Sequence, residues 1–107
     1  MIKIELVPDA NNCIETVARR EFQNLVNECL QNERVISEFA QKIELLRVFL
    51  ESADFRKLRR ESEEYLSKGQ KVKFLLYFKH GAITCKQFVD ERDTSVYILP
   101  RDIPEIG

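Results

Sequence analysis

Glycine, cysteine and histidine are scarce in this chain, at three, three and one among 107 residues. Three glycines leave little room for a phosphate-cradling loop, and no Walker, GxGxxG, GxSxG or HExxH pattern occurs. The single histidine, His80, sits beside Gly81 between two apolar runs, where a polar residue suits a turn. Cys13, Cys29 and Cys85 are odd in number, widely spaced and without a CxxC pattern. They suggest neither a disulfide framework nor a zinc site. They are expected as small core or near-core residues in a reducing compartment, which points to the cytoplasm. No run of 18 apolar residues exists, so no membrane span is expected. The opening "MIKIELVPD" alternates apolar and charged residues, unlike a signal peptide. The acidic pairs Glu63-Glu64 and Asp90-Glu91 read as solvated charge. The expectation is a protein that is not an enzyme, with no catalytic residues, cofactor, metal or small-molecule ligand.

What is present is an ordinary apolar fraction of 44% with a high charged fraction of 33%. At this length one domain is expected, able to bury about two thirds of its unfolded surface without staples. The net charge of −1 conceals an asymmetry. Residues 1–54 hold 6 basic against 10 acidic side chains, residues 55–89 hold 9 against 3, and residues 90–107 hold 2 against 5. A basic middle between acidic ends fits a nucleic-acid surface or complementary faces that pair in a dimer.

Patterning gives the fold class. Ile2, Ile4 and Leu6 alternate with Lys3 and Glu5, which predicts a strand ended by Pro8. Asp9, Asn11 and Asn12 are candidate caps for a following helix. Ile14, Val17, Ala18, Phe22, Leu25, Val26, Cys29 and Leu30 then form one helical stripe, and Ile36, Phe39, Ala40, Ile43, Leu46 and Leu50 a second in phase with it. Residues 12–53 are either a helical hairpin turning at Asn32 or one helix of about 40 residues, roughly 60 Å long. Compactness favours the hairpin, and the absence of Gly and Pro favours continuity. A third helix starts near Ser52 or Asp54, carries Phe55, Leu58, Tyr65 and Leu66 on one face with Ser62 between them, and stops at Gly69. Its basic residues Arg56, Lys57, Arg59 and Arg60 precede its glutamates, against the preference of the helix dipole. Either a partner or the acidic first helices account for that order.

The stretch "KVKFLLYFKHGAITCKQFV", Lys71–Val89, reads as a hairpin about His80-Gly81. This register sets Phe78 by Ile83, Leu76 by Cys85, Phe74 by Gln87 and Val72 by Val89, the core face. The opposite face carries Lys71, Lys73, Leu75, Tyr77, Lys79, Thr84, Lys86 and Phe88. "DERD" turns the chain again, and a last strand is expected to send Val96 and Ile98 to the core, with Tyr97 and Leu99 opposite. The prediction is an α+β domain over residues 1–99. It has an N-terminal strand, two to three helices packed on one face, and a three-stranded antiparallel meander that the first strand joins. An extended tail follows over 100–107.

The lysine-bearing face raises the functional question. Tyr77 and Phe88 lie among Lys71, Lys73, Lys79 and Lys86, with Arg56, Arg59 and Arg60 as an extension. Aromatics and lysines so interleaved suit single-stranded nucleic acid. The apolar Leu75, Tyr97 and Leu99 expected on the same face suit a protein partner, such as another copy of the chain. "YLSKGQKVKFLLYFKHG", Tyr65–Gly81, also resembles the helix–Gly–KVK-strand–turn segment in the C-terminal domain of bacterial translation initiation factor 3. That family continues into a helix where this chain continues into a strand. The resemblance implies binding to the small ribosomal subunit, with Arg59, Arg60, Lys71, Lys73 and Lys79 towards RNA. The leading expectation is a self-associating, cytoplasmic protein-interaction module, using a helical stripe or the sheet face. The alternative is an RNA-binding or ribosome-associated protein using the basic segment 56–86.

Overall fold

The computed structural model describes residues 2–31, 37–79 and 82–99, with side chains described as far as Thr94. The elements run β1 (Lys3–Leu6), α1 (Ile14–Gln31), α2 (Ser37–Glu51), α3 (Phe55–Ser67), β2 (Val72–Lys79), β3 (Ala82–Val89) and β4 (Arg92–Leu99). The strands form one antiparallel sheet in the order β1-β2-β3-β4. The α+β architecture expected from the pattern is therefore the observed one. The first strand joins the meander as its fourth member by pairing with β2.

Alternation fixes which face of the sheet is covered. Ile4, Leu6, Val72, Phe74, Leu76, Ile83, Cys85 and Val89 are buried, and they share a core with Ile14, Ala18, Leu25, Leu46, Phe49, Phe55 and Leu58 from the helices. The helices lie mainly over β1 and β2. Phe49 of α2 anchors the layers: its ring meets Phe55 edge-on at 5.1 Å and Phe74 at 5.9 Å. Ser62 is fully buried, and its hydroxyl donates to the Arg59 carbonyl at 2.8 Å, which satisfies it.

Residues 12–53 form two helices that pack against each other, the hairpin alternative. The molecule's longest dimension, 43 Å, would not accommodate a continuous helix of about 60 Å. The expected turn at Asn32 lies outside the described residues, as do His80-Gly81 and the tail 100–107. The core of α2 differs from the expected stripe. Leu45, Leu46, Val48 and Phe49 are buried, whereas Ala40 is exposed and Leu50 half-buried. Once the chain reverses, the phase of α1 no longer constrains α2, which packs on both α1 and the sheet.

Local chemistry sets the ends. Asp9, Asn11 and Asn12 do not cap α1. The Asp9 carboxylate instead accepts the Asn11 and Asn12 amides, both at 2.8 Å, and closes a turn before the helix. These bonds hold the Asp9 carboxyl below its ordinary pKa, with the Asn11 amide the largest cause. Cys13 occupies the position before the first helical residue, and its carbonyl accepts the Val17 amide at 3.0 Å. At the end of α3, Gly69 takes φ +78°. Its amide donates to Leu66 and that of Gln70 to Tyr65, the paired bonds of a Schellman motif.

The β2–β3 hairpin has the expected register throughout, from Val72 opposite Val89 to Lys79 opposite Ala82. The β3–β4 hairpin does not follow expectation. Its turn is Asp90-Glu91 alone, both at positive φ (50° and 68°), as a two-residue hairpin turn demands. The Asp90 carboxylate also accepts the Lys71 amide at 3.0 Å, tying the turn to the start of β2. A bulge at Thr94 then shifts the register by one, from Phe88↔Asp93 to Gln87↔Ser95. Tyr97 consequently lies opposite Cys85 and Leu99 opposite Ile83, on the covered side. Val96 lies opposite Lys86 and Ile98 opposite Thr84, on the open side. The expected facing of Val96 and Ile98 holds for an unbulged ladder, and one inserted residue inverts it.

Candidate interaction face

The open face of the sheet displays Lys73, Leu75, Tyr77 and Lys79 from β2 and Thr84, Lys86 and Phe88 from β3. Each alternates with a core residue on its strand. Register sets Lys3 of β1 beside Tyr77, and Glu5 beside Leu75. Asp93 of β4 stands beside Phe88. Leu75, Tyr77 and Phe88 thus lie among side chains of both charges, with Lys86 directly opposite Leu75 and Lys73 directly opposite Phe88.

Individual residues differ in availability. Tyr77 and Thr84 are already 9% and 6% exposed, while Leu75, Lys73, Lys86 and Phe88 are half-buried. Lys79 is exposed at the end of β2, and Lys71 is exposed just before its start. The Lys73 ammonium lies over the Phe88 ring, 5.0 Å from its centre. Lys86 meets Asp93 at 3.6 Å. Two of the four lysines therefore have partners within the fold.

The helix arginines do not extend this face. They belong to α3, which packs on the covered side of the sheet through Phe55 and Leu58. Arg59 bonds Glu15 of α1 at 3.2 Å and Glu63 at 3.3 Å, so it pairs partly with the acidic first helix. Arg56, Lys57 and Arg60 are exposed and take part in no ion pair among the described residues. Arg56, Arg59, Arg60 and Glu63 line a shallow depression. The nine candidate residues thus divide into a sheet group, Lys71, Lys73, Tyr77, Lys79, Lys86 and Phe88, and a helix group, Arg56, Arg59 and Arg60.

The cysteines, expected as core or near-core residues, divide into the buried Cys85 and the partly exposed Cys13 and Cys29. Cys13 is half-exposed and lines a depression between the Asp9–Asn12 turn and α3, with Thr16, Glu63 and Leu66 nearby. Its sulfur is 3.4 Å from the Thr16 hydroxyl. That bond chiefly, with the Thr16 amide and Arg59 adding to it, holds the thiol below its ordinary pKa. The signal in the sequence is its place directly before the helical stripe, three residues ahead of Thr16, where a capping side chain belongs. Cys85 is the opposite case: burial pushes its thiol up to about 12. Cys29 is half-exposed on α1. Among the described residues no cluster of His, Cys, Asp and Glu is arranged to hold a metal ion. No helix among them is long and apolar enough to cross a membrane.

Comparison with known proteins adds a family but no activity. An uncharacterized protein of Archaeoglobus fulgidus is 43% identical over 53 residues, a stretch covering 48% of this chain and 62% of that protein. No solved structure matches the chain. The model of one protein family matches residues 1–96, which hold every described element except the end of β4. The chain belongs to that family.

Proposed function

We propose that the protein is a non-enzymatic, cytoplasmic interaction module that self-associates through the open face of its sheet. The observation that supports this most is the pairing of Leu75 and Phe88 with the buried Tyr77 on a face over which none of the described helices packs. Apolar and aromatic side chains bordered by charge suit a protein interface. A second copy suits this face because those charges are of both signs. Lys3, Lys73, Lys79 and Lys86 stand around Glu5 and Asp93, so a two-fold arrangement sets acids of one copy against lysines of the other. The helical stripe is the weaker interface, since Ile14, Ala18, Leu25 and Leu46 are used within the chain. With Tyr77 and Thr84 already buried, the apolar surface left to cover is modest. The expected association is weak, on the order of micromolar. Light-scattering mass against concentration tests it, with Leu75→Asp expected to hold the protein monomeric. A wild-type chain that stays monomeric throughout would remove the reading.

A second reading, RNA binding through the basic segment, is supported by Lys73, Lys79 and Lys86 standing around Tyr77 and Phe88. Phosphate contacts weaken steeply with salt, and an apolar interface does not. Copurifying nucleic acid that leaves in high salt, and is lost in the double variant Lys73→Glu with Lys86→Glu, would favour this reading over the first. The ion pair of Lys86 and the stacking of Lys73 already occupy two of those charges, which favours the protein partner.

A further inference from the structure

We infer that β4 has two pairing registers on β3 and passes between them as Thr94 moves into and out of the ladder. Register in a half-buried strand is normally set by one polar and one apolar parity. This strand lacks that instruction beyond Thr94. Val96 and Ile98 are apolar on one parity, and Tyr97 and Leu99 on the other. Either set is chemically fit for the core.

The observed register carries a bulge that the other lacks. Thr94 is inserted between the pairs Phe88↔Asp93 and Gln87↔Ser95 as a bulge. Gln87 lies on the covered side at 1% exposure, and its Oε1 has no hydrogen-bond partner among the described residues. Its Nε2 donates to the Thr94 hydroxyl at 3.4 Å, and that hydroxyl donates to the Gln87 carbonyl at 3.2 Å. A pair of residues so engaged becomes a direct cross-strand pair if the bulge is absorbed. In that second register Thr94 stands opposite Gln87, Val96 opposite Cys85 and Ile98 opposite Ile83.

The slip needs little else to change. The Asp90-Glu91 turn and the pairs Val89↔Arg92 and Phe88↔Asp93 are common to both registers. Among the described strands β4 is the edge of the sheet, so no second ladder between them must break. The consequence falls on the open face, where β4 would present Tyr97 and Leu99 in place of Val96 and Ile98. Only that consequence rests on the proposed interface, because the slip itself is a property of the single chain.

Chemical-exchange saturation transfer on the 15N-labelled wild-type protein tests the inference. A minor state of about 1% or more is expected, exchanging in milliseconds, with shift changes concentrated over residues 82–99. Deleting Thr94 removes the extra residue and retains the observed facing, so the minor state should vanish. The double variant Val96→Lys with Ile98→Lys should also abolish it, because the second register would bury both lysines, and it serves if the deletion fails to fold. A wild type with no such state overturns the inference, as does exchange that persists unchanged in a folded variant. Recording the same spectra on Leu75→Asp, which the self-association account holds monomeric, keeps their outcome separate from that of the self-association test.

Discussion

Two cysteines in one small fold have been driven in opposite directions by their surroundings. Cys13 stands where α1 begins, hydrogen-bonded to Thr16 and half-exposed. Cys85 is sealed between the sheet and the helices. Alkylation by iodoacetamide near neutral pH, followed by peptide mass spectrometry, should modify Cys13 well before Cys85, with Cys85 protected until unfolding. Equal rates for the two would contradict the placement. Cys85 also makes a pH prediction. Its folded pKa of about 12 exceeds the ordinary value of 9.0, so the unfolded chain releases this proton first. The stability tied to the neutral thiol is therefore complete below pH 9 and is lost as pH rises from 9 towards 12. The slope is at most about 1.4 kcal/mol per pH unit. Denaturant melts across that range should show a shallower alkaline loss for Cys85→Ala, relative to its own stability at pH 7, than for wild type.

At the scale of elements, the Phe49 ring joins α2 to α3 and to β2. Phe49→Ala should cost about 3–5 kcal/mol, a large part of the stability of a domain this size, measurable as a lower urea midpoint. A loss under 1 kcal/mol would mean that the layers are held elsewhere. Some elements could be read from the sequence because local chemistry decided them. The β2–β3 register follows from a two-residue turn and clean alternation, and the end of α3 follows from a glycine that takes φ +78°. Other features were decided by tertiary context. The facing of β4 depends on one bulged residue, and with apolar residues on both parities the pattern had no way to announce it. The buried stripe of α2 centres on Leu45 and Phe49 because the helix lies against two neighbours at once, which a single-stripe reading of its sequence does not anticipate. The capping site was misplaced for a similar reason. Asp9 has the chemistry of a cap but spends its carboxylate on the turn before the helix, leaving the position to Cys13.

For the whole molecule, the basic middle of the sequence does not become one basic surface. Lys73, Lys79 and Lys86 fall on the open side of the sheet and Arg56, Lys57, Arg59 and Arg60 on the helical side, because alternation along β2 and β3 sends those lysines to the side opposite α3. Alternation along β2 and β3 placed the sheet group legibly. The separation of the helix group needed the packing of α3. What remains on the open side is Leu75, Tyr77 and Phe88 among side chains of both charges, and a second copy of the chain is the occupant argued for it. The most direct test is the light-scattering mass of the wild-type protein measured across a wide concentration range beside Leu75→Asp. The account predicts a mass that climbs from 12.6 kDa towards twice that value for wild type while the variant stays at the monomer mass. A wild-type mass of 12.6 kDa at every concentration, or a dimer that the variant leaves intact, would contradict it.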